Sequence, residues 1–428
     1  MSVITEVTIA QPEPGLTPDD LVQRARELRP RLLEEQAAVE ERGTYSPEMH
    51  ELFREAGFYR ILQPRRFGGY EFDITTYARV ISEIARGCPS SAWCLALASA
   101  HVLLLAAWFP ESAQIEAFSP DGEFAASTRA IPGGTAQRLD GGWKVDGKWD
   151  YCSGSPYSTH AMVWAKVVDE TGSVVDETAP LKLVLVPRSD WTSLDNWRGS
   201  AFGMRGSGSN SIRIDGAVVP DHFVLDDPFP LAERADTVGY RMYGNSMYVA
   251  PPMMFAPLEI TAVLVGCARA ALDEYERILV TKKAPVLPDS PTINTLPLTL
   301  SETHDFQRWY GLACGRVEAA ETLLVQTSER LMAACREATE DGAGFSATDI
   351  FQYNLTRQQA INLGWEAVDL MFRTSGTSEG GRNGSRMNRY TRDYLMGRTN
   401  IYADEEKFAE SMSKVHFAAG RNTLAGNA

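Results

Sequence analysis

The strongest constraint on this chain is that its hydrophobic period changes twice along its length. From about Thr17 to Pro120 apolar residues recur at helical spacing: Leu21, Ala25, Leu28, Leu32 and Ala37, then Leu52, Phe53, Ala56 and Phe58. Thr17, placed before Asp19 and Asp20, offers a capping oxygen to the first free amides, with acids in the first turn. The Pro-Arg-Arg-Phe-Gly-Gly turn at 64–69 breaks the series before another helix begins near Ile74. From about Gly122 to Leu231 the pattern shortens to alternating runs, including 142–149, 161–167, 181–186 and 211–219, split by Gly, Pro and Asp. These runs predict antiparallel strands of a small barrel or sandwich. After Pro230 long amphipathic helices return over 258–278, 306–334 and 347–372. The expected fold class is α+β, in three parts: a helical domain at 1–121, a β domain at 122–231 and a helical domain at 232–428. Strands set between two helical sets place a pocket at the junction, where domain interfaces commonly hold cofactors.

Composition removes several classes of function. The chain has 41 Lys and Arg against 56 Asp and Glu, a formal net charge of −15, with no basic block. A nucleic-acid partner needs a basic face, so none is expected. The longest apolar run, 92–109, contains Ser99, His101 and many small residues, which fits a buried helix better than a membrane span. The first fifteen residues show no basic segment followed by an apolar one, so no secretory leader is expected. Cys88, Cys94, Cys152, Cys267, Cys314 and Cys335 form no CxxC pair, which points to a reducing compartment, the cytoplasm by default, without zinc or disulfides.

Familiar catalytic signatures are missing. The chain has no GxGxxG after a strand, no Walker A and no HExxH, and Gly206-Ser-Gly208 lacks a third glycine. Gly376-Thr-Ser-Glu-Gly380 matches GxSxG, but it follows a helix, whereas a nucleophile elbow needs a strand-to-helix turn. A Rossmann-bound nicotinamide, a metal centre and a serine hydrolase are therefore not expected.

Other motifs carry a resemblance. Glu51-Leu-Phe-Arg-Glu-Ala-Gly-Phe58, the turn at 64–69, Ser91-Ala-Trp93, Gly203-Met-Arg-Gly-Ser-Gly-Ser-Asn210, Val218-Val-Pro-Asp-His222 and Arg389-Tyr-Thr-Arg-Asp393 occur in that order. Together they resemble the acyl-CoA dehydrogenase superfamily over roughly residues 17–420. That resemblance implies an N-terminal helical domain, a middle β-barrel domain and a C-terminal four-helix bundle. In the dehydrogenase branch a catalytic glutamate commonly stands in an Ile-Tyr-Glu-Gly-Thr stretch. Here Ile401-Tyr402 is followed by Ala403-Asp404-Glu405, two acids that also suit a solvated helix face.

The flavin hydroxylase branch is matched better. Trp149-Asp-Tyr-Cys-Ser-Gly154 is similar to its Trp-x-Phe/Tyr-x-Ser-Gly motif. The resemblance implies that Ser153 lies beside the flavin ring, within reach of N5, and slows loss of hydrogen peroxide from the C4a-hydroperoxide. On its own, Ser-Gly at a strand end also reads as a plain turn. Trp149, Tyr151, Gly154, Arg205 and Ser207 are the further cofactor-binding candidates implied. His101, eight residues after Trp93, resembles a histidine lining the phenol pocket of such hydroxylases, where a near-neutral imidazole would polarise the substrate. A lone histidine on an apolar helix is otherwise more often a core residue. The family's second pocket histidine is replaced: Arg398-Thr is followed by Asn400, which can hydrogen-bond substrate but cannot act as a base.

Ser375, Gly376 and Thr377, with Gly380-Gly-Arg382, form a glycine-rich stretch suited to close backbone approach to a flavin phosphate. Arg277, Lys282 and Lys283 are the candidate cations, and a surface loop near a helix C-terminus is the competing reading. His160, His222 and His304 have no functional context.

The expectation is the oxygenase component of a two-component flavin-dependent monooxygenase, a homotetramer using reduced FMN or reduced FAD and O2. A separate NAD(P)H:flavin reductase would supply the flavin. The substrate would be a small phenol first and the nitrogen of an amine second. The alternatives are an acyl-CoA dehydrogenase with tightly bound FAD and a catalytically silent scaffold.

Overall fold

The computed structural model describes residues 7–226, 235–284 and 298–425, with side chains to residue 418. The first helix, α1 (Pro18–Arg42), starts as expected: Thr17 Oγ1 accepts from the Asp20 amide while Asp20 accepts from the Thr17 amide. Then follow α2 (Pro47–Glu55), α3 (Ile74–Gly87), α4 (Pro89–Ala100), α5 (Val102–Trp108) and α6 (Glu111–Phe118). The apolar run at 92–109 is buried but is two helices, interrupted at His101. That break turns the imidazole toward the β layer, where Nδ1 meets the Ala126 carbonyl at 2.6 Å.

The strands are β1 (Ala126–Leu139), β2 (Gly142–Cys152), β3 (His160–Val168), β4 (Lys182–Pro187), β5 (Thr192–Ser193), β6 (Asn210–Pro220) and β7 (Val224–Asp226). They form one sheet in the order β5-β6-β2-β1-β3-β4-β7. The sheet is mixed, a correction to the wholly antiparallel expectation: β1 and β3 run parallel, with Ala126 opposite His160. The β1–β2 hairpin occupies one flank of β1, and the chain crosses over through a short turn at Ser155–Tyr157 to pair on the other flank. The expected domain boundary at 231–232 lies outside the described residues.

The C-terminal part comprises α7 (Val238–Tyr243), α8 (Pro252–Thr281), α9 (His304–Asp341), α10 (Ala347–Thr374), α11 (Arg386–Arg398) and α12 (Glu405–Ala425). α8 is apolar on nearly every face and packs against α3, α4, α9, α10 and α11, so it is the axis of the core.

Two motifs quoted above interlock here. Gly203 lies so close to α11 that a Cβ would sit 2.1 Å from the Arg392 carbonyl oxygen, which excludes any larger residue. The Met204 amide donates to Asp393 Oδ1 at 2.6 Å, Arg392 donates to the Phe202 carbonyl at 2.9 Å, and Arg392 also pairs with Glu40 of α1 at 2.8 Å. The 203–210 loop is thereby pinned between all three layers.

Candidate active site

A cavity of about 660 Å³ opens where the helices meet the sheet. Its size is that of a pocket for a cofactor ring with a small ligand. Of the predicted site residues, His101, Tyr151, Ser153, Ser207 and Asn400 line it.

Ser153 stands at the end of β2, and Gly154 after it has φ +81, in the left-handed region. A Cβ on Gly154 would come within 2.9 Å of both Ala98 Cβ and the Cys94 carbonyl on α4, so glycine is required twice over, by conformation and by space. This close approach presses Ser153 against α4. Trp93 Nε1 donates to Ser153 Oγ at 3.0 Å, and Ser153 Oγ lies 2.7 Å from Ser209 Oγ, itself 2.6 Å from Ser207 Oγ. An indole N–H only donates. One lone pair of Ser153 is thus taken by Trp93; either hydroxyl of each serine pair can donate, and when Ser207 donates to Ser209 and Ser209 to Ser153 the Ser153 proton is free for the cavity. Each bond in such a chain polarises the next.

The imidazole of His101 is 4% exposed. A carbonyl cannot donate, so Nδ1 carries the proton toward Ala126 and Nε2 is the acceptor. Burial drives its pKa down to about 4, which corrects the near-neutral imidazole expected from sequence. Near neutral pH the ring is uncharged and accepts a hydrogen bond at Nε2. Asn400 turns Oδ1 to the Tyr402 amide at 2.9 Å, leaving the two Nδ2 protons as donors. Fully buried Arg357 fixes this segment by donating to the Tyr402 carbonyl at 2.8 Å.

Tyr151 sits at the rim with φ 63, a conformation non-glycine residues rarely hold, and its ring meets Trp197 edge-on at 5.8 Å. Arg129 lies over the same ring at 5.4 Å.

The other predicted residues are elsewhere. Trp149 does not line the cavity; its ring is wholly buried and donates to the Trp164 carbonyl at 2.9 Å, supporting a residue that does. Arg205 points outward and bonds the Arg198 carbonyl at 3.2 Å. Ser375 Oγ caps its own helix end at the Phe372 carbonyl, and Gly376 and Thr377 enter a turn away from the cavity. Lys282 is paired with Glu379 at 3.1 Å and Arg277 with Glu274 at 2.6 Å, so neither cation is uncommitted; Lys283 is exposed. Asp404 caps the Lys407 amide and Glu405 accepts from Gln359 and Asn362, so neither acid reaches the cavity. Ser209 and Glu259 line it and were not singled out from sequence. The alternation of glycine and serine over 206–209 was the available signal for Ser209; for Glu259 there was none.

The family model for the acyl-CoA dehydrogenase N-terminal domain matches residues 19–121, and that for the C-terminal domain matches residues 258–404. A pigment production hydroxylase of Rhodococcus sp. (strain ATCC 21145) is 29% identical over 93% of this chain and 96% of its own length. The flavin-dependent monooxygenase oxygenase subunit HsaA of Rhodococcus jostii is 27% identical over 90% of this chain and 95% of its own. Among solved structures, XiaF from Streptomyces sp. in complex with FADH2 and glycerol superposes with a TM-score of 0.82 at 20% identity, covering 94% of this chain and 96% of that one. At that identity the likeness establishes the fold alone.

Proposed function

The chain belongs to the acyl-CoA dehydrogenase superfamily, and from that premise we propose that it is the oxygenase component of a two-component flavin-dependent monooxygenase acting on a small aromatic substrate. The observation that carries this reading is the buried hydroxyl chain Ser207–Ser209–Ser153 on the cavity wall, with Trp93 donating to Ser153. When bound, reduced flavin supplies the two electrons that activate dioxygen. The residues present fit such a group: a 660 Å³ cavity, a buried O–H donor and a wall of Trp93, Trp164 and Phe255 that excludes water. Ser153, Ser207 and Ser209 would hold the ring, and Tyr151 would cover it from the rim. His101 Nε2 would accept a hydrogen bond from a substrate hydroxyl, while Asn400 Nδ2 would donate to its oxygen.

Reduced FMN or FAD would be delivered by a separate reductase, a reading supported by relatives named as oxygenase components. The turn at 375–377 is distant from this chain's own cavity, which suits a homotetramer in which such a segment serves a neighbouring chain's flavin. All six cysteines are free thiols, in keeping with a cytoplasmic setting.

The test is to mix the anaerobic protein with reduced FMN or FAD and then add oxygen. Oxidised-flavin absorbance should return after a lag absent from free flavin. Return at the free-flavin rate would refute the proposal.

A further inference from the structure

One group in the cavity has no part in the chemistry above. Glu259 on α8 lines the cavity beside Phe255 and Ile260, is 2% exposed, and makes no hydrogen bond or ion pair with any described residue. A buried cation does hold the same helix: Arg357 donates to Thr261 Oγ1 at 2.6 Å and to the Pro257 carbonyl at 3.4 Å. Those positions lie two residues either side of Glu259, so its side chain leaves the helix about 200° away from them. Tyr77 on α3, whose hydroxyl feels the charge of Glu259, is committed to the Ala96 carbonyl at 2.9 Å. The other titratable or charged groups around the cavity are His101, Arg129, Tyr151 and Tyr402, none of them acidic near neutral pH.

A carboxyl so fully buried is normally paired, because removing its charge from water costs more than the fold can bear unaided. Burial alone holds Glu259 well above the usual carboxylate range. None of the described residues supplies a partner, and the side left open is the cavity. We infer that Glu259 recognises the substrate, and that its partner is the basic nitrogen of an amine-bearing aromatic compound. This rests on the reading of the cavity as a substrate pocket and narrows the substrate class. An ammonium facing the carboxylate and a free amine facing the protonated acid differ only in where one proton sits. Glu259 can therefore hold the proton while the nitrogen lone pair is exposed. Asn400, which cannot deprotonate a phenol, agrees with a substrate whose proton goes elsewhere.

The test measures binding to the full-length, flavin-free protein by quenching of Trp93, Trp164 and Trp197, which line the cavity. The probe pairs are tyramine with 4-ethylphenol, and benzylamine with toluene. Near neutral pH each amine should bind the wild type about tenfold more tightly than its desamino counterpart. Glu259→Gln should erase that preference and leave the desamino affinities unchanged. Equal binding within both pairs by the wild type, or an undiminished preference in E259Q, overturns the assignment. Should E259Q fail to fold, the wild-type comparison decides by itself. The oxygenase reading is scored on the flavin lag, which needs no amine, so either can fail without the other.

Discussion

The indole nitrogen of Trp93 on α4 donates to the hydroxyl of Ser153 at the end of β2, 3.0 Å away. The bond joins the helical layer to the sheet inside the cavity, and it fills one acceptor site of the serine oxygen. Trp93 occupies one acceptor site; when Ser209, 2.7 Å away, donates to the other, the Ser153 proton is free to face a ligand.

Ser153→Ala should remove that donor and leave the fold intact. The lag before flavin oxidation should shorten by about tenfold, the worth of one hydrogen bond to a charged or strongly polar group. Peroxide should rise at the expense of product. Ser209→Ala and Trp93→Phe should each give a smaller shift the same way; if neither moves the lag or the peroxide yield, the hydroxyl chain has no such role.

His101→Ala should lower product formation about tenfold, the scale of one lost hydrogen bond to the substrate, with the lag nearly unchanged. Parallel loss of product and lag would mean that the imidazole only supports packing.

Two imidazoles, the buried His101 and the partly buried His160, also set an acid limit on the fold. His101 and His160 titrate near pH 4 in the folded chain, against 6.5 for an ordinary histidine, both because of burial. Between those values the unfolded chain binds the extra proton. Stability is therefore complete above pH 6.5 and declines as pH falls toward 4, by roughly 3 kcal/mol for His101. Denaturant midpoints measured across this window should fall less steeply in His101→Gln than in the wild type. An identical slope would remove His101 from the account.

Asp393 should matter through the loop it holds. Asp393→Ala leaves the Met204 amide without its 2.6 Å acceptor and should cost about 2 kcal/mol in chemical denaturation. Asp393→Asn keeps an acceptor oxygen and should cost clearly less. Equal losses would show that the carboxyl, and not the amide's hydrogen bond, holds the 203–210 loop.

An acyl-CoA dehydrogenase would bleach bound FAD on addition of an acyl-CoA thioester. Asp404 and Glu405, the acids nearest in sequence to that branch's motif, are turned to Lys407, Gln359 and Asn362, and no bleaching is expected. Absorbance of the FAD-loaded protein, followed anaerobically after adding acyl-CoA, checks this.

The order of helices, strands and helices was legible because each element carries its own period, and Thr17 marked its helix start through a local capping bond. Ser153 was legible only through the likeness of the Trp149–Gly154 stretch to a family motif; the structure adds that its glycine sits in the left-handed region and close to α4. What each element meets is a different matter, since a period says which face is apolar and not which partner covers it. Trp149 and Ser153 share one motif, yet the register of β2 shifts between Trp149 and Cys152, so the first is buried against Trp164 and the second, just past the strand, opens to the cavity. Arg205 and Ser207 share another, and one turn of loop sends the arginine to the surface. Glu259 gave no sign at all: α8 is apolar nearly all round, so only its packing against five other helices determined that this acid would face a cavity with no partner among the described residues.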